Sequence, residues 1–276
     1  MVWVDNMAMG NFSVLCSIYI KEKPEYLEQC FQSIEWQTLE SNEVVVVHDG
    51  PLTNELYAVL ENWKSKLPII EVVLKENVGL GEALNQGLKH CTNDLVVRVD
   101  TDDINHIVRF EKQVKYMLDN PDIHAVSSSI LEFDTDPDNP NYLKEVPCDD
   151  EIKAYSLKRN PLNHAASIFR KEAVLASGGY QHLLYMEDYY LWLRLQANGY
   201  KINNLSEPLV SVRVGNGMLE KRKGLNYAKS EIILMKEMYA LKLARKPTTA
   251  MFFLARSASR LMPAFILKHI YKLYLR

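Results

Sequence analysis

Four short apolar runs, each followed by an amphipathic stretch of helical length, constrain the fold of this chain more than any other feature. Residues 12–20 (FSVLCSIYI), 43–48 (EVVVVH), 69–74 and 95–99 (LVVRV) are too short for apolar helices. The run 12–20 reads as a buried strand, and 43–48 is too uniformly apolar for a strand with one wet face and reads as a parallel strand covered on both sides; 69–74 and 95–99 read as the third and fourth strands. Pro24 opens a helix whose Leu27, Cys30, Phe31 and Ile34 recur on one face. Leu56, Leu60 and Trp63 mark a second helix, and Leu80, Leu84 and Leu88 a third. This alternation predicts an α/β fold, a doubly wound and mostly parallel sheet flanked by helices. After residue 120 the pattern loosens. Strands are expected at 123–133, 164–169 and 209–214, and helices at 187–197 and 219–243, with a polar two-proline turn at 134–141.

In open α/β sheets, ligands gather at the carboxyl ends of the strands. Here those ends carry Tyr19 and Glu22, then His48-Asp49-Gly50-Pro51, then Asn77-Val78-Gly79, then Asp100-Thr101-Asp102-Asp103. Three carboxylates within four positions repel one another unless a cation lies among them. Their oxygens suit a hard divalent ion, Mg²⁺ or Mn²⁺, though the same acids would also serve as a solvated cap of a following helix. Asp49-Gly50 and Asn77-x-Gly79 each read first as a turn, with a ligand contact as the alternative. Met186-Glu187-Asp188 sets two acids at the start of an apolar helix, as capping residues or as a general base. Neither a P-loop nor a G-x-G-x-x-G fingerprint is present.

With 47% hydrophobic and 24% charged residues in 276, the composition excludes collagenous, low-complexity and largely disordered chains. Cys16, Cys30, Cys91 and Cys148 lie far apart, which argues against a disulfide framework or zinc site and predicts a reducing compartment. The first ten residues lack a signal-peptide pattern, and no apolar run reaches the roughly 18 residues of a membrane span, so a soluble intracellular protein is expected. The net charge of −3 hides an asymmetry: beyond Glu237 lie eight cations and no acid. That tail is also apolar and aromatic, and Pro247 and Pro263 divide it into two expected short helices. The pattern suits helices lying on an anionic membrane surface, at about 1 kcal/mol per cation. The alternative is a tail packed on its own domain or on a second copy in a homodimer. No nucleic-acid partner is expected, because the tail is too apolar and the acidic body would repel phosphates.

Taken together and in order, HDGP, NVGLGEALNQG, DTDD with Arg109 beyond it, and MEDYYLWLRL resemble the family-2 inverting glycosyltransferases. SIYIKEKPEYLEQCFQSIEWQT and VRVGNGMLEKRKGLNYAKSE look like the bacterial members that build capsule, exopolysaccharide and O-antigen. The resemblance implies a GT-A domain over residues 1–218, with a nucleotide-binding half (12–120), an acceptor half (121–218) and a helical basic region (219–276). It implies a nucleotide-sugar donor, UDP-linked by preference, and a lipid-linked glycan acceptor, handled by a cytoplasmic enzyme peripheral on the inner membrane face. Asp49 would meet the base and Asp100 the ribose, while Tyr19, Glu22, Asn77 and Gly79 line the nucleotide pocket. Asp102 and Asp103 would bind the metal, Arg109 steady the DTDD segment, and Arg213 approach the diphosphate. Asp188 would be the catalytic base, Glu187 would position the acceptor, and His164 would lie beside the acceptor cleft. His48 replaces the first acid of the family's usual pair after strand two, and Ala83-Leu84-Asn85 replaces its usual Ala-Arg-Asn. Gly215 and Asn216 stand without the histidine of some relatives. The Q-x-x-R-W motif of processive synthases is absent, so one sugar is expected per encounter. The competing expectations are a sugar nucleotidyltransferase, which would need a glycine-rich loop after strand one, and a non-catalytic nucleotide-sugar-binding subunit.

Overall fold

The computed structural model describes residues 10–214 and 223–262. Among them the strands are β1 (Phe12–Ile18), β2 (Glu43–His48), β3 (Ile69–Val73), β4 (Leu95–Arg98), β5 (Ile104–Asn105), β6 (Ile123–Phe133), β7 (Tyr142–Lys144), β8 (Ile168–Arg170) and β9 (Lys201–Arg213). The helices are α1 (Pro24–Glu35), α2 (Asn54–Trp63), α3 (Leu80–Leu88), α4 (Arg109–Asp119), α5 (Glu151–Tyr155), α6 (Lys171–Ala176), α7 (Glu187–Ala197), α8 (Leu225–Ala240) and α9 (Pro247–Ser259).

One sheet runs in the order β3-β2-β1-β4-β8-β6-β9-β5, with β7 beside β6. The first four strands are parallel, as the alternating pattern predicts. The chain moves outward from β1 to β3 and then returns to β4 on the other side of β1. This reversal of direction opens a crevice between β1 and β4. Beyond β4 the sheet is mixed: β8 runs antiparallel to β4 and β6, while β6 and β9 are parallel.

Alternation along the strands divides the core in two. Val14, Cys16, Ile18, Val44 and Val46 pack with Leu27, Phe31, Leu60 and Trp63 of α1 and α2. Leu15, Val45 and Val47 face the opposite layer, with Leu84 and Leu88 of α3 and Leu191, Trp192 and Leu195 of α7. Gly87 lets α3 sit close, because a Cβ there would fall 2.7 Å from Val47 Cγ2 and nearer still to Leu15 Cδ1. A third cluster joins α7 to α8 and α9 through Tyr189, Leu193, Leu234, Met238 and Phe253.

Several boundaries differ from the pattern. His164–Ala166 is a 3-10 turn rather than strand, because Asn163 is pinned to β6 by bonds to Ser127 Oγ (2.9 Å) and the Ser128 carbonyl (2.8 Å). β9 starts at Lys201, well before the expected 209. Its Asn203 and Asn204 are buried, their amides satisfied by Asp149, Pro147 and Pro161, so that part of the strand does not read as apolar. Helix α4 escapes the pattern reading although Phe110, Val114 and Met117 are all buried on one face. Helix α8 begins at Leu225, after Gly224 at φ +94°; the expected start at 219, and Gly215 and Asn216, lie outside the described residues. The first tail helix forms as expected after Pro247, and the second, beyond Pro263, also lies outside them.

Candidate functional site

The polar ends of β1, β2 and β4 meet over one hollow of about 820 Å³. Asp49, buried at the end of β2, spends both carboxylate oxygens on the loop after β3. Oδ1 accepts from Val78 N–H (2.6 Å), and Oδ2 from Gly79 N–H (3.1 Å) and the Asn77 amide (2.9 Å). Gly50 must be glycine: its φ is +87° and a Cβ would lie 2.8 Å from the Asn77 nitrogen. The two motifs that read separately as turns are therefore one device, a carboxylate locking two loops together. His48, also buried, lies 3.1 Å from Glu71 on β3, away from the hollow.

Glu22 behaves similarly on the opposite wall, where its carboxylate accepts from Thr101 Oγ1 at 2.6 Å and ties the β1 loop to the acidic segment. Asp100 pairs with the wholly buried Arg98 (2.6 Å). Asp102 is half-buried in the hollow; burial first, then the charges of Asp100 and Glu22, push its carboxyl up to about 7. A carboxylate crowded by other carboxylates is the donor chemistry that a hard divalent cation satisfies. Among the described residues no three His, Cys, Asp or Glu side chains converge as a complete cage. The protein would therefore supply one or two oxygens and leave the rest to a bound phosphate and water, which suits Mg²⁺ or Mn²⁺.

Two expected site residues stand elsewhere. Asp103 is buried behind the hollow, where it accepts the Arg213 backbone N–H at 2.9 Å, so the structure does not offer it as a metal ligand. Arg109 is buried completely within the fold. It donates to the carbonyls of Arg98 (2.7 Å) and Ser167 (3.3 Å), to Gln113 Oε1 (3.0 Å) and to Asn105. It holds the backbone on either side of the DTDD segment, through the Arg98 carbonyl and Asn105, and does not itself line the hollow. Arg213, by contrast, lines the hollow. Its guanidinium is clamped over Tyr26 (3.9 Å) and Phe133 (4.6 Å) and donates to the Asp102 carbonyl (3.2 Å). This is a fixed cation suited to phosphate.

A second hollow, of about 610 Å³, shares Gly79 and Leu80 with the first and contains Glu187, Asp188 and His164. Leu80 reads from sequence as a core position of α3, yet it is 46% exposed at this common wall. Asp188 stands in the first turn of α7, and one oxygen accepts from the Asn160 amide at 2.7 Å. Burial pushes its carboxyl above the ordinary range, opposed by the Tyr189 backbone N–H and by Asn160. Glu187 is also raised, mainly by burial. His164 Nε2 lies 2.9 Å from Tyr180 Oη, and burial, then the Arg98 charge, hold the imidazole well below its usual pKa and so neutral.

Three residues that pattern reading passed over shape this region. Arg98 interrupts an apolar strand, a signal that a buried partner must exist. Asn85 of α3 exchanges two hydrogen bonds (both 2.8 Å) with the Tyr180 backbone and so fixes the far wall. Asn160 carries no sequence signal of its role.

Residues 13–176 match the sequence profile described as Glycosyl transferase family 2. The chain is 45% identical to amylovoran biosynthesis glycosyltransferase AmsE of Erwinia amylovora, covering 95% of this chain and 98% of that protein. It is 38% identical to an Escherichia coli UDP-Gal:alpha-D-GlcNAc-diphosphoundecaprenol beta-1,3-galactosyltransferase, covering 96% of each. Among solved structures, S. aureus TarS 1–349 in complex with UDP-GlcNAc superposes with a TM-score of 0.67 at 18% identity, over 97% of this chain and 76% of that one. Mannosyltransferase PcManGT from Pyrobaculum calidifontis, in complex with GDP-Man and Mn²⁺, superposes with a TM-score of 0.61 at 20% identity, over 100% and 83%.

Proposed function

The chain belongs to glycosyltransferase family 2 and has the GT-A fold, and from that premise we propose that it moves one sugar from a nucleotide-diphosphate donor, UDP-linked by preference, to a hydroxyl of a lipid-linked glycan during assembly of a bacterial surface polysaccharide. The observation that carries the reading is the adjacency of two hollows across Gly79 and Leu80, with Asp102 and Arg213 in one and Asp188 in the other.

In the first hollow Asp49, Asn77, Gly79, Tyr19 and Glu22 shape the walls for the nucleoside, and Asp100 takes the ribose. Asp102, together with donor phosphate, would hold Mg²⁺ or Mn²⁺. When bound, the cation neutralises charge on the departing diphosphate. Arg213 adds a fixed positive charge to the same task. In the second hollow the Asp188 carboxylate takes the proton of the acceptor hydroxyl as its oxygen attacks the anomeric carbon. The bond to the diphosphate breaks on the opposite side, and the anomeric configuration inverts. Glu187 and His164 border the acceptor.

Asp188→Asn should lower kcat roughly 10²–10⁴-fold while donor affinity stays within about twofold, measured by steady-state kinetics and calorimetry. Near-native turnover would remove Asp188 from the role of base. No helix among the described residues is long and apolar enough to cross a membrane. The access to a lipid-linked acceptor that this reading requires would come from peripheral attachment at the inner face of the membrane through the cations of the C-terminal region.

A further inference from the structure

Residues Leu183 to Met186 form a tight turn closed by the Met186 N–H donating to the Leu183 carbonyl at 2.7 Å. Its ends are anchored, because the side chains of Leu183 and Met186 are buried against α8 and α9. Its tip is not: Leu184 is 40% exposed and Tyr185 48%. Tyr185 holds φ at +68°, at the turn position for which glycine or asparagine is normally selected. A bulky aromatic side chain is strained in that conformation, and strain that persists is found where the surroundings over-determine the residue. Glycine would close the same turn without strain.

The ring of Tyr185 is braced from behind. It stacks on Tyr227 of α8, with centroids 5.2 Å apart and planes 17° from parallel. Tyr227 is itself buried and carries the Arg260 guanidinium 4.7 Å from its ring centre, and Arg260 is paired with the wholly buried Glu231 (3.0 Å). One face of Tyr185 is thus covered by a rigid layer, while the residue stays 48% exposed and lines the second hollow. Tyr185 lines the same hollow as Asp188, three positions further along the chain, and the exposed Leu80 and Leu184 flank it.

We infer that Tyr185 is a platform for the acceptor: a pyranose ring of the glycan lays its C–H face on the bare face of the tyrosine and turns its reactive hydroxyl toward Asp188. A sugar ring is apolar across its faces and polar around its rim, as is an aromatic ring with one wet edge. The inference rests on the reading of this hollow as the acceptor site, and it gives a function to a strained residue that the reaction chemistry does not otherwise require.

The test compares Tyr185→Gly, Tyr185→Phe and Asp188→Asn, using UDP-galactose with N-acetylglucosaminyl diphosphate on a short alkyl chain. Tyr185→Gly should raise the acceptor KM roughly three- to tenfold, the range expected of one lost stacking contact. Donor KM and donor hydrolysis should stay within about twofold. Tyr185→Phe should keep the native acceptor KM. Saturation-transfer NMR of the acceptor analogue should lose its sugar-ring signal in the glycine variant and keep it in the phenylalanine variant, whether or not this donor pair is turned over. An unchanged acceptor KM and ring signal in Tyr185→Gly overturns the platform. An equal loss in both Tyr185 variants would transfer the effect to the hydroxyl and overturn the stacking argument. Native turnover in Asp188→Asn would instead overturn the assignment of the hollow, independently of the tyrosine.

Discussion

Asn160 stands 28 residues from Asp188 in sequence and 2.7 Å from it in the fold. Its segment is held rigid by a buried polar seam, in which Asn204 donates to the Pro161 carbonyl (2.9 Å) and Ser127 Oγ donates to Asn204 Oδ1 (2.6 Å). Burial raises the Asp188 carboxyl and the Asn160 amide lowers it, so removing the amide leaves burial less opposed. A base must be deprotonated, and activity is therefore lost as pH falls through this raised value. Asn160→Ala should move the acid limb of the kcat profile to higher pH, with a larger loss at pH 6 than at pH 8. An unmoved limb would speak against Asp188 as the titrating group. The carboxylates themselves were legible in the sequence, because acids at the ends of apolar elements demand an explanation. Asn160 and Tyr185 were not. The amide acquires its partner only through tertiary packing, and no composition rule reveals that a tyrosine will be forced to positive φ. Asp103 faces away from the hollow for a related reason: spacing locates a residue along the chain but does not say which side of the loop is the cavity.

The helices α8 and α9 revise the reading of the tail. Counted along the sequence, its eight cations look available to a membrane. In the fold Arg256 and Arg260 point inward instead and neutralise Glu231, which has no exposed surface, at 2.6 and 3.0 Å. Breaking such a buried set typically costs about 3–5 kcal/mol because a charge is stranded. Truncation after Lys246 should accordingly lower Tm sharply relative to truncation after Met262, which retains both arginines. If the remaining cations attach the protein to lipid, the shorter deletion should also reduce sedimentation with anionic vesicles, and undiminished sedimentation would remove Lys268, Lys272 and Arg276 from that role. The strand–helix alternation of the first hundred residues was readable because β1, β2 and β4 are covered on both faces, while the edge strand β3 leaves Ile70 and Val73 exposed. β9 was not, since its buried asparagines look like loop to a pattern that counts apolar residues.

At the scale of the whole molecule, the reversal of the sheet between β1 and β4 opens the crevice, and the mixed second half supplies its opposite wall. Leu80 stands on the ridge between the two chambers and faces both. If the nucleotide compound, once seated against this partition, completes the wall of the neighbouring chamber, addition should follow a compulsory sequence, with that compound leading and its spent diphosphate the last to depart. Product-inhibition kinetics would display this as competition by the nucleoside diphosphate against donor and a noncompetitive pattern against acceptor. Competition against both would mean that the partition is passive.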